Sequence, residues 1–256
     1  MDQATVQKLT EMNTNFYDKH GESFDASRSQ PWQGWQLLEK TFAQLLNRDE
    51  LSVLDLGCGN GRFFSFLNEL KVANHSSTRL RYHGLDSNAF LLEQAAKKLT
   101  DTKHVLQKIN LVNELQQNTF MEKLNGQQFD LIVGFGLMHH IPSQELRGAF
   151  LQQLQACSQT DNTVILSFWQ FAKKMTKNTT TIDPTLFAIT KEQLEYSDFL
   201  LGWHNDTKSP RYCHSFSTEE AVELVKQAGW KMHQSLLADG KNNSTNLYLV
   251  LSPQER

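Results

Sequence analysis

Apolar residues fall along this chain in two rhythms, short unbroken runs and helical spacings, and the two alternate. Val53, Leu54 and Leu56 make a short run of the kind that fills a strand buried on both faces. Similar runs lie at 105–110, 129–136, 162–169 and 248–251, with a more polar one at 81–88. Between them apolar positions recur at helical intervals, as in Phe63, Phe64, Phe66, Leu67 and Leu70, the stretch 91–99, and Leu146, Phe150, Leu151 and Leu154. Strands alternating with helices predict an α/β domain, its sheet mostly parallel and its helices on both faces. Gly229-Trp230 opens a sixth strand, and the turn formers Asp239, Gly240, Asn242 and Asn243 separate it from 248–251. That spacing predicts a hairpin at one sheet edge, with the last strand antiparallel.

Before the first strand, Val6, Leu9, Met12 and Phe16 are spaced by three, three and four, which predicts a helix within 1–20. An aromatic-rich segment follows and reads as packing on the sheet edge. Arg28 stands in it among Phe24, Trp32 and Trp35, either as a charged finger on a lid or as a solvated arginine on a capping helix. Trp35, Leu38, Phe42, Leu45 and Leu46 predict an amphipathic helix leading into the first strand. After 162–169 comes an insertion of roughly fifty residues, at a point where α/β enzymes cover their sites. It carries Arg211, Tyr212 and His214 within four residues. Ser217 follows, with Glu220 three positions on, a capping box. A donor cluster at a helix start favours an anion. The polar stretch 173–181 reads as a mobile loop. The chain divides as one domain over 1–256: a helical cap (1–48), a binding core (49–169), a substrate lid (170–217), and a C-terminal helix and hairpin (218–256).

The candidate chemistry gathers at the carboxyl ends of the strands. Gly57, Gly59 and Gly61 follow the first strand at once. Strand, glycine turn and helix let a ligand approach the backbone where a Cβ would block it. A dinucleotide fingerprint would need glycine at position 62, where this chain has Arg62. Asp86, 25 residues after Gly61, stands at the tip of the second strand. It can accept from both hydroxyls of a ribose, or with Ser87 cap the helix that follows. Asn110 ends the third strand. His139 and His140 follow the fourth, where such sheets hold substrates. On extended backbone their side chains would alternate, so at most one is expected to face the site.

Net charge is −3, which gives no global basic signature for nucleic acid. Three distant cysteines, Cys58, Cys157 and Cys213, fit a reducing compartment and lack metal-ligand spacing, so no metal is expected. Cys58 reads as a small packing residue of the turn. With no signal segment and no apolar run of about 18 residues, no membrane association and a cytoplasmic location are expected.

The stretch Asp55-Leu56-Gly57-Cys58-Gly59-Asn60-Gly61 resembles the first motif of the class I S-adenosylmethionine-dependent methyltransferases, whose sheet is Rossmann-like. The resemblance implies that Asp55, Gly57, Cys58, Gly59, Asn60 and Gly61 bind S-adenosylmethionine, with Asp55 at its methionine end. It further implies Asp86 and Ser87 at the ribose and Asn110, in place of the family's usual aspartate, at the adenine. Tyr17-Asp18, Phe24-Asp25-Ala26-Ser27-Arg28 with Pro31-Trp32, Met138-His139-His140 and Arg211-Tyr212-Cys213-His214 resemble a narrower group. Its members are tRNA methyltransferases that esterify 5-carboxymethyluridine at the wobble position, and they can work with a small zinc-binding activator subunit. On that resemblance Arg28, His139, His140, Arg211, Tyr212 and His214 handle the acceptor, and tRNA is the expected partner. A carboxylate acceptor is ionised near pH 7 and needs aiming more than a base. The other readings are a methyltransferase for a small acid, amine or phenol, and a cofactor-binding subunit without activity.

Overall fold

The computed structural model describes residues 1–99, 102–175, 180–203 and 206–254. The expected loop at 173–181 lies partly outside them. The strands are β1 (Glu50–Leu56), β2 (Arg79–Asp86), β3 (Lys103–Lys108), β4 (Phe129–Gly134), β5 (Ser158–Trp169), β6 (Thr181–Ile182), β7 (Asp198–Trp203), β8 (Asp206–His214), β9 (Trp230–Ala238) and β10 (Asn246–Pro253). The helices are α1 (Gln3–Ala26), α2 (Gln33–Leu37), α3 (Glu39–Leu45), α4 (Arg62–Ala73), α5 (Ala89–Ala96), α6 (Leu111–Gln117), α7 (Phe120–Lys123), α8 (Gln144–Ala156) and α9 (Thr218–Gln227).

Seven strands form one sheet in the order β3-β2-β1-β4-β5-β10-β9. β1 through β5 pair in parallel, and β10 runs antiparallel to both neighbours. Side chains of the central strands alternate between two cores. Leu54, Leu56, Ile132, Val164 and Leu166 enter one, with α8 and α9 residues such as Phe150 and Leu224. Val53, Leu131, Val133 and Ile165 enter the other, with Phe42 of α3 and Phe63 of α4. Burial on both faces accounts for the unbroken apolar runs. The strand order reverses between the parallel neighbours β1 and β4, which opens a crevice at their carboxyl ends.

The N-terminal cap departs from expectation. α1 does not stop near residue 20 but continues through Gly21 to Ala26. The aromatic segment expected on the sheet edge packs inward instead, Phe24 on Tyr17 and Trp203, and Trp32 on Trp35 and Phe135. Leu9 and Met12 pack with Ile182, Ile189, Leu200 and Tyr212 of the insertion, which folds as a second antiparallel sheet in the order β6-β7-β8. Asp2 caps α1 by accepting the Thr5 N–H at 2.8 Å. The amphipathic run from Trp35 is two helices broken at Leu38, because α2 lies on the β9–β10 hairpin while α3 lies on α4. Ser217 and Glu220 form the expected capping box. Among the described residues no helix is long and apolar enough to cross a membrane.

The hairpin is pinned to the cap by one carboxylate. Asp239 accepts from the Gly34 N–H at 3.1 Å, the Tyr248 hydroxyl at 2.6 Å and the Asn246 amide at 2.8 Å. A Cβ on Gly34 would lie 2.2 Å from the ring of Tyr248, which is fully buried and cannot swing away. Gly34→Ala is therefore expected to cost about 1–3 kcal/mol by overpacking. A thermal melt should show a drop of roughly 2–4 °C for each kcal/mol; an unchanged midpoint would show that this contact yields freely.

Candidate active site

A cavity of about 440 Å³ opens at the carboxyl ends of β1, β2 and β4, roofed by α1 and β8. The glycine turn forms its floor. Gly57, Gly59 and Gly61 have φ of +71°, +52° and +72°, a region in which a Cβ is strained. Gly57, Cys58, Gly59 and Asn60 line the cavity; Gly61 does not. A Cβ on Gly61 would come within 3.1 Å of Ala95, so this glycine serves the approach of the turn to α5.

Two carboxylates face the turn. Asp55 is buried inside β1 and accepts a hydrogen bond from the Tyr82 hydroxyl. Burial, opposed by that bond and reinforced by Asp86, raises its pKa to about 7. Asp86 accepts from the Gly59 N–H at 2.8 Å and the Asn88 N–H at 2.9 Å. Burial raises its pKa too, against those backbone bonds. The cap of α5 is Asn88, which accepts from Leu91 N–H at 2.9 Å, so Asp86 is not the helix cap. Ser87 and Asn110 also line the cavity. Asn110 caps α6 through its oxygen, taking Asn113 N–H at 3.3 Å, and donates its amide to Thr14 at 3.2 Å. One lone pair of that oxygen remains for a ligand. Asn60 donates to Asp25 at 2.6 Å and to the Arg28 carbonyl at 3.4 Å, which ties the end of α1 to the turn.

Both histidines line the cavity, not one. Met138–His140 is a turn of 3₁₀ helix, so the alternation of a strand does not apply. Their rings are 4.1 Å apart. His140 Nδ1 lies 2.9 Å from the Tyr212 carbonyl, which can only accept, so Nδ1 carries the proton. Nε2 then accepts from the Tyr17 hydroxyl at 2.8 Å. Burial and the nearby Arg211 push His140 down to about 3. Burial, His140 and Arg211 push His139 well below the usual range, and its Nδ1 is buried without a partner among the described residues. Both rings are neutral near pH 7.

Of the Arg211, Tyr212 and His214 cluster only Arg211 reaches the cavity. These residues lie on β8, where successive side chains point to opposite faces. Tyr212 and His214 turn away to Asp198, at 2.8 and 2.7 Å. The anion-binding cluster expected before α9 is therefore not formed. Arg211 sits against Phe16, Trp169 and Trp203, its guanidinium carbon 5.1, 5.4 and 5.2 Å from the ring centroids. Arg28 lies over Phe24 at 4.7 Å and lines the same cavity, as a finger and not a solvated cap. Among the described residues neither arginine has a carboxylate within 4.0 Å, and the Nε of each is buried without a partner.

The sequence reading gave no site role to Thr10, Thr14 or Tyr17, which all line the cavity. They fall at helical spacing on one face of α1. Once 1–20 is read as helix, that polar face is the available signal. Trp169, at the end of β5, was also missed.

Residues 54–161 match the family model described as a methyltransferase domain. A protein of Encephalitozoon cuniculi (strain GB-M1), provisionally described as a methyltransferase, is 24% identical over 217 residues, 85% of this chain and 86% of its own. Among solved structures, the CcbJ methyltransferase of Streptomyces caelestis aligns at a TM-score of 0.62 and 15% identity, over 95% of this chain and 99% of that one. The magnesium protoporphyrin IX methyltransferase of Synechocystis PCC 6803, with bound S-adenosylmethionine, aligns at 0.58 and 13%, over 96% and 97%. The chain is an S-adenosylmethionine-dependent methyltransferase. Its fold is that of class I, the seven-stranded sheet with one antiparallel strand.

The cavity suits this cofactor. A floor of glycines keeps side chains away, and two carboxylates, the buried Asp55 and the half-buried Asp86, would suit groups that donate hydrogen bonds, an ammonium and a pair of ribose hydroxyls. The raised pKa of Asp55 has a consequence for binding by this methyltransferase. Below about 7 the free protein holds Asp55 neutral, and an ammonium beside it favours the ionised form, so binding must release a proton. Affinity for S-adenosylmethionine is expected to fall as the pH drops through 7, approaching tenfold per unit. Calorimetry between pH 5.5 and 8 checks this. Asp55→Asn should bind more weakly at pH 8 and lose the dependence; a wild-type affinity flat across the range would move the ammonium away from Asp55.

Proposed function

We propose that this enzyme transfers the methyl group to a carboxylate oxygen, and that the carboxylate belongs to a 5-carboxymethyl-type wobble uridine in tRNA. The observation that carries the reading is the pair Arg28, half-buried, and Arg211, buried, two guanidiniums in one cavity with no carboxylate within 4.0 Å among the described residues. An arginine fork matches a carboxylate in two parallel hydrogen bonds. One such cation left alone in a protein interior is costly, and two in one cavity call for anions from outside.

When bound, S-adenosylmethionine supplies the methyl group from its sulfonium. The residues around it bind and aim the acceptor. Arg211 takes the acceptor carboxylate and Trp169 walls its approach. His139 offers within the same cavity an Nδ1 that has no partner among the described residues. His140 is committed at both nitrogens and holds Tyr17 in place. Neither ring is poised near pH 7 as a base. An amine, hydroxyl or phenol acceptor would need one; an ionised carboxylate does not. The tRNA assignment rests on the sequence resemblance, which spans Arg28, His139, His140 and Arg211. An activator subunit of the kind that group uses belongs to the same reading.

A small carboxylic acid is the second acceptor that fits. The net charge of −3 favours it, and so do relatives of this fold named for small molecules, among them magnesium protoporphyrin IX and 1,6-didemethyltoxoflavin. Labelled methyl transfer to bulk tRNA, followed by nucleoside mass spectrometry, separates the two. Label in a wobble-uridine methyl ester is expected. Label only in small acids would sink the tRNA assignment and keep the carboxylate. Arg211→Ala and Arg28→Ala should each lower kcat/KM by about a hundredfold, roughly 2.7 kcal/mol, with cofactor affinity within a few fold. Weakened cofactor binding in Arg28→Ala alone would place that guanidinium on the methionine carboxylate instead.

A further inference from the structure

Behind the acceptor wall lies a buried charge cluster that the chemistry above does not use. His214 is 2% exposed. Its Nδ1 is 2.7 Å from Asp198 Oδ1 and its Nε2 is 2.7 Å from Glu220 Oε1. Both partners are carboxylates, and an imidazole can donate to both at once only when it is protonated. Asp198 belongs to β7, His214 to β8 and Glu220 to the first turn of α9. Two more charged groups face the ring, Glu195 at 3.6 Å from Nδ1 and Arg147 of α8. Arg147 is 1% exposed, bonds Glu195, lies 3.8 Å from Glu220 and gives Nη1 to the Ile141 carbonyl at 3.1 Å. Glu195 also accepts the Gln144 N–H at 2.6 Å. The neutral Tyr212 hydroxyl completes the group on Asp198 at 2.8 Å.

We propose that His214 is a positioning residue whose proton clamps β8 between β7 and α9, and so fixes where Arg211 and the Tyr212 carbonyl stand at the acceptor site. The clause about Arg211 rests on the carboxylate reading above. The clamp reaches the site by three routes. Arg211 is three residues earlier on the same strand and points to the opposite face. The Tyr212 carbonyl holds His140 Nδ1 at 2.9 Å. Arg147 holds the carbonyl of Ile141, the residue after His140.

The chemistry of the cluster makes the proton decisive. Three carboxylates, Glu195, Asp198 and Glu220, face two cations when His214 is charged and one when it is not. A neutral ring keeps one N–H, so Asp198 or Glu220 loses the His214 donor; Asp198 keeps the Tyr212 hydroxyl and the Glu195 N–H, at 2.8 and 2.9 Å, and Glu220 keeps the Ser217 N–H at 3.4 Å, but the charge that balances them is gone. Burial works against the charge on His214, but the hydrogen bonds to Asp198 and Glu220 outweigh it and raise the pKa above the ordinary histidine value. A raised folded pKa means that the clamp is fully present below the ordinary value near 6.5 and is lost as the pH rises through the raised one.

The test uses the full chain with ¹³C-labelled histidine, so that His214 can be titrated by NMR, with its signal assigned by its loss in His214→Gln. Amide exchange over 206–214, corrected for intrinsic rates, is read below and above that titration. Protection of β8 in the wild type should fall roughly tenfold as the proton leaves. His214→Gln should be poorly protected at both pH values. His214→Lys, which keeps a charge and several donors on a flexible stem, should stay protected at both. At any one pH, the cofactor affinity of both variants should stay within a few fold of the wild type. With an anticodon stem-loop RNA carrying 5-carboxymethyluridine, the acceptor KM should rise over the same interval while kcat holds. Wild-type protection unchanged across the His214 titration would overturn the clamp, and this outcome does not depend on whether a variant folds. An RNA that is never methylated while β8 still loosens with the proton would overturn the acceptor reading and leave the clamp standing.

Discussion

Three backbone N–H groups hold the glycine turn to the tip of the neighbouring strand, and the site depends on them. Gly57 and Cys58 both donate to the Leu85 carbonyl, at 2.8 and 2.9 Å, and Gly59 donates to the Asp86 carboxylate at 2.8 Å. These bonds fix the end of β1 against the end of β2 and aim Asp86 at the turn. Asn60 extends the same registration outward by gripping Asp25 and the Arg28 carbonyl. The N-terminal cap is thereby located by the turn it covers. A glycine-rich backbone is entropically costly to order, and here side chains and carbonyls from β2 and from the end of α1 hold it.

Much of this architecture was legible in the residue pattern, for a physical reason. Strands covered on both faces need unbroken apolar runs, and Val53–Leu56, with Asp55 as its one polar member, advertises such a strand and its site together. The glycines and Asp86 were readable because few other residue types meet the same backbone and hydrogen-bonding demands. What the pattern hid was direction. Arg211, Tyr212 and His214 are close in sequence, yet the pleat of β8 sends one to the cavity and two to the opposite face. His139 and His140 failed the other way, because a 3₁₀ turn brings together side chains that a strand would part. Asn88 supplanted Asp86 as helix cap by a shift of two positions, which propensity alone does not resolve. The helix through Gly21 continues because tertiary packing against the inserted sheet outweighs the local preference of one glycine.

Two buried arginines show how differently one residue type is treated within a short distance. Arg147 is surrounded by carboxylates and a carbonyl, so its charge is matched within the fold. Arg211 has aromatic rings on its flanks, worth about 0.5–2 kcal/mol each at best, and no anion among the described residues. The first arrangement holds elements together. The second leaves a favourable interaction unmade, so an anion that enters the cavity stabilises the folded protein as well as filling the site.

The long pairing of α1 with β8 also bears on how the protein comes into being. Asn13 accepts the Tyr212 N–H at 2.8 Å across 199 positions of sequence. At a synthesis rate of about 5–20 residues per second, α1 leaves the ribosome roughly 10–40 s before the strand that completes it. Every local contact of the cofactor floor is made by residues translated well before β8. A growing chain therefore assembles the glycine turn and both carboxylates first, and the wall formed by β8 is added only after about 120 further residues have been made.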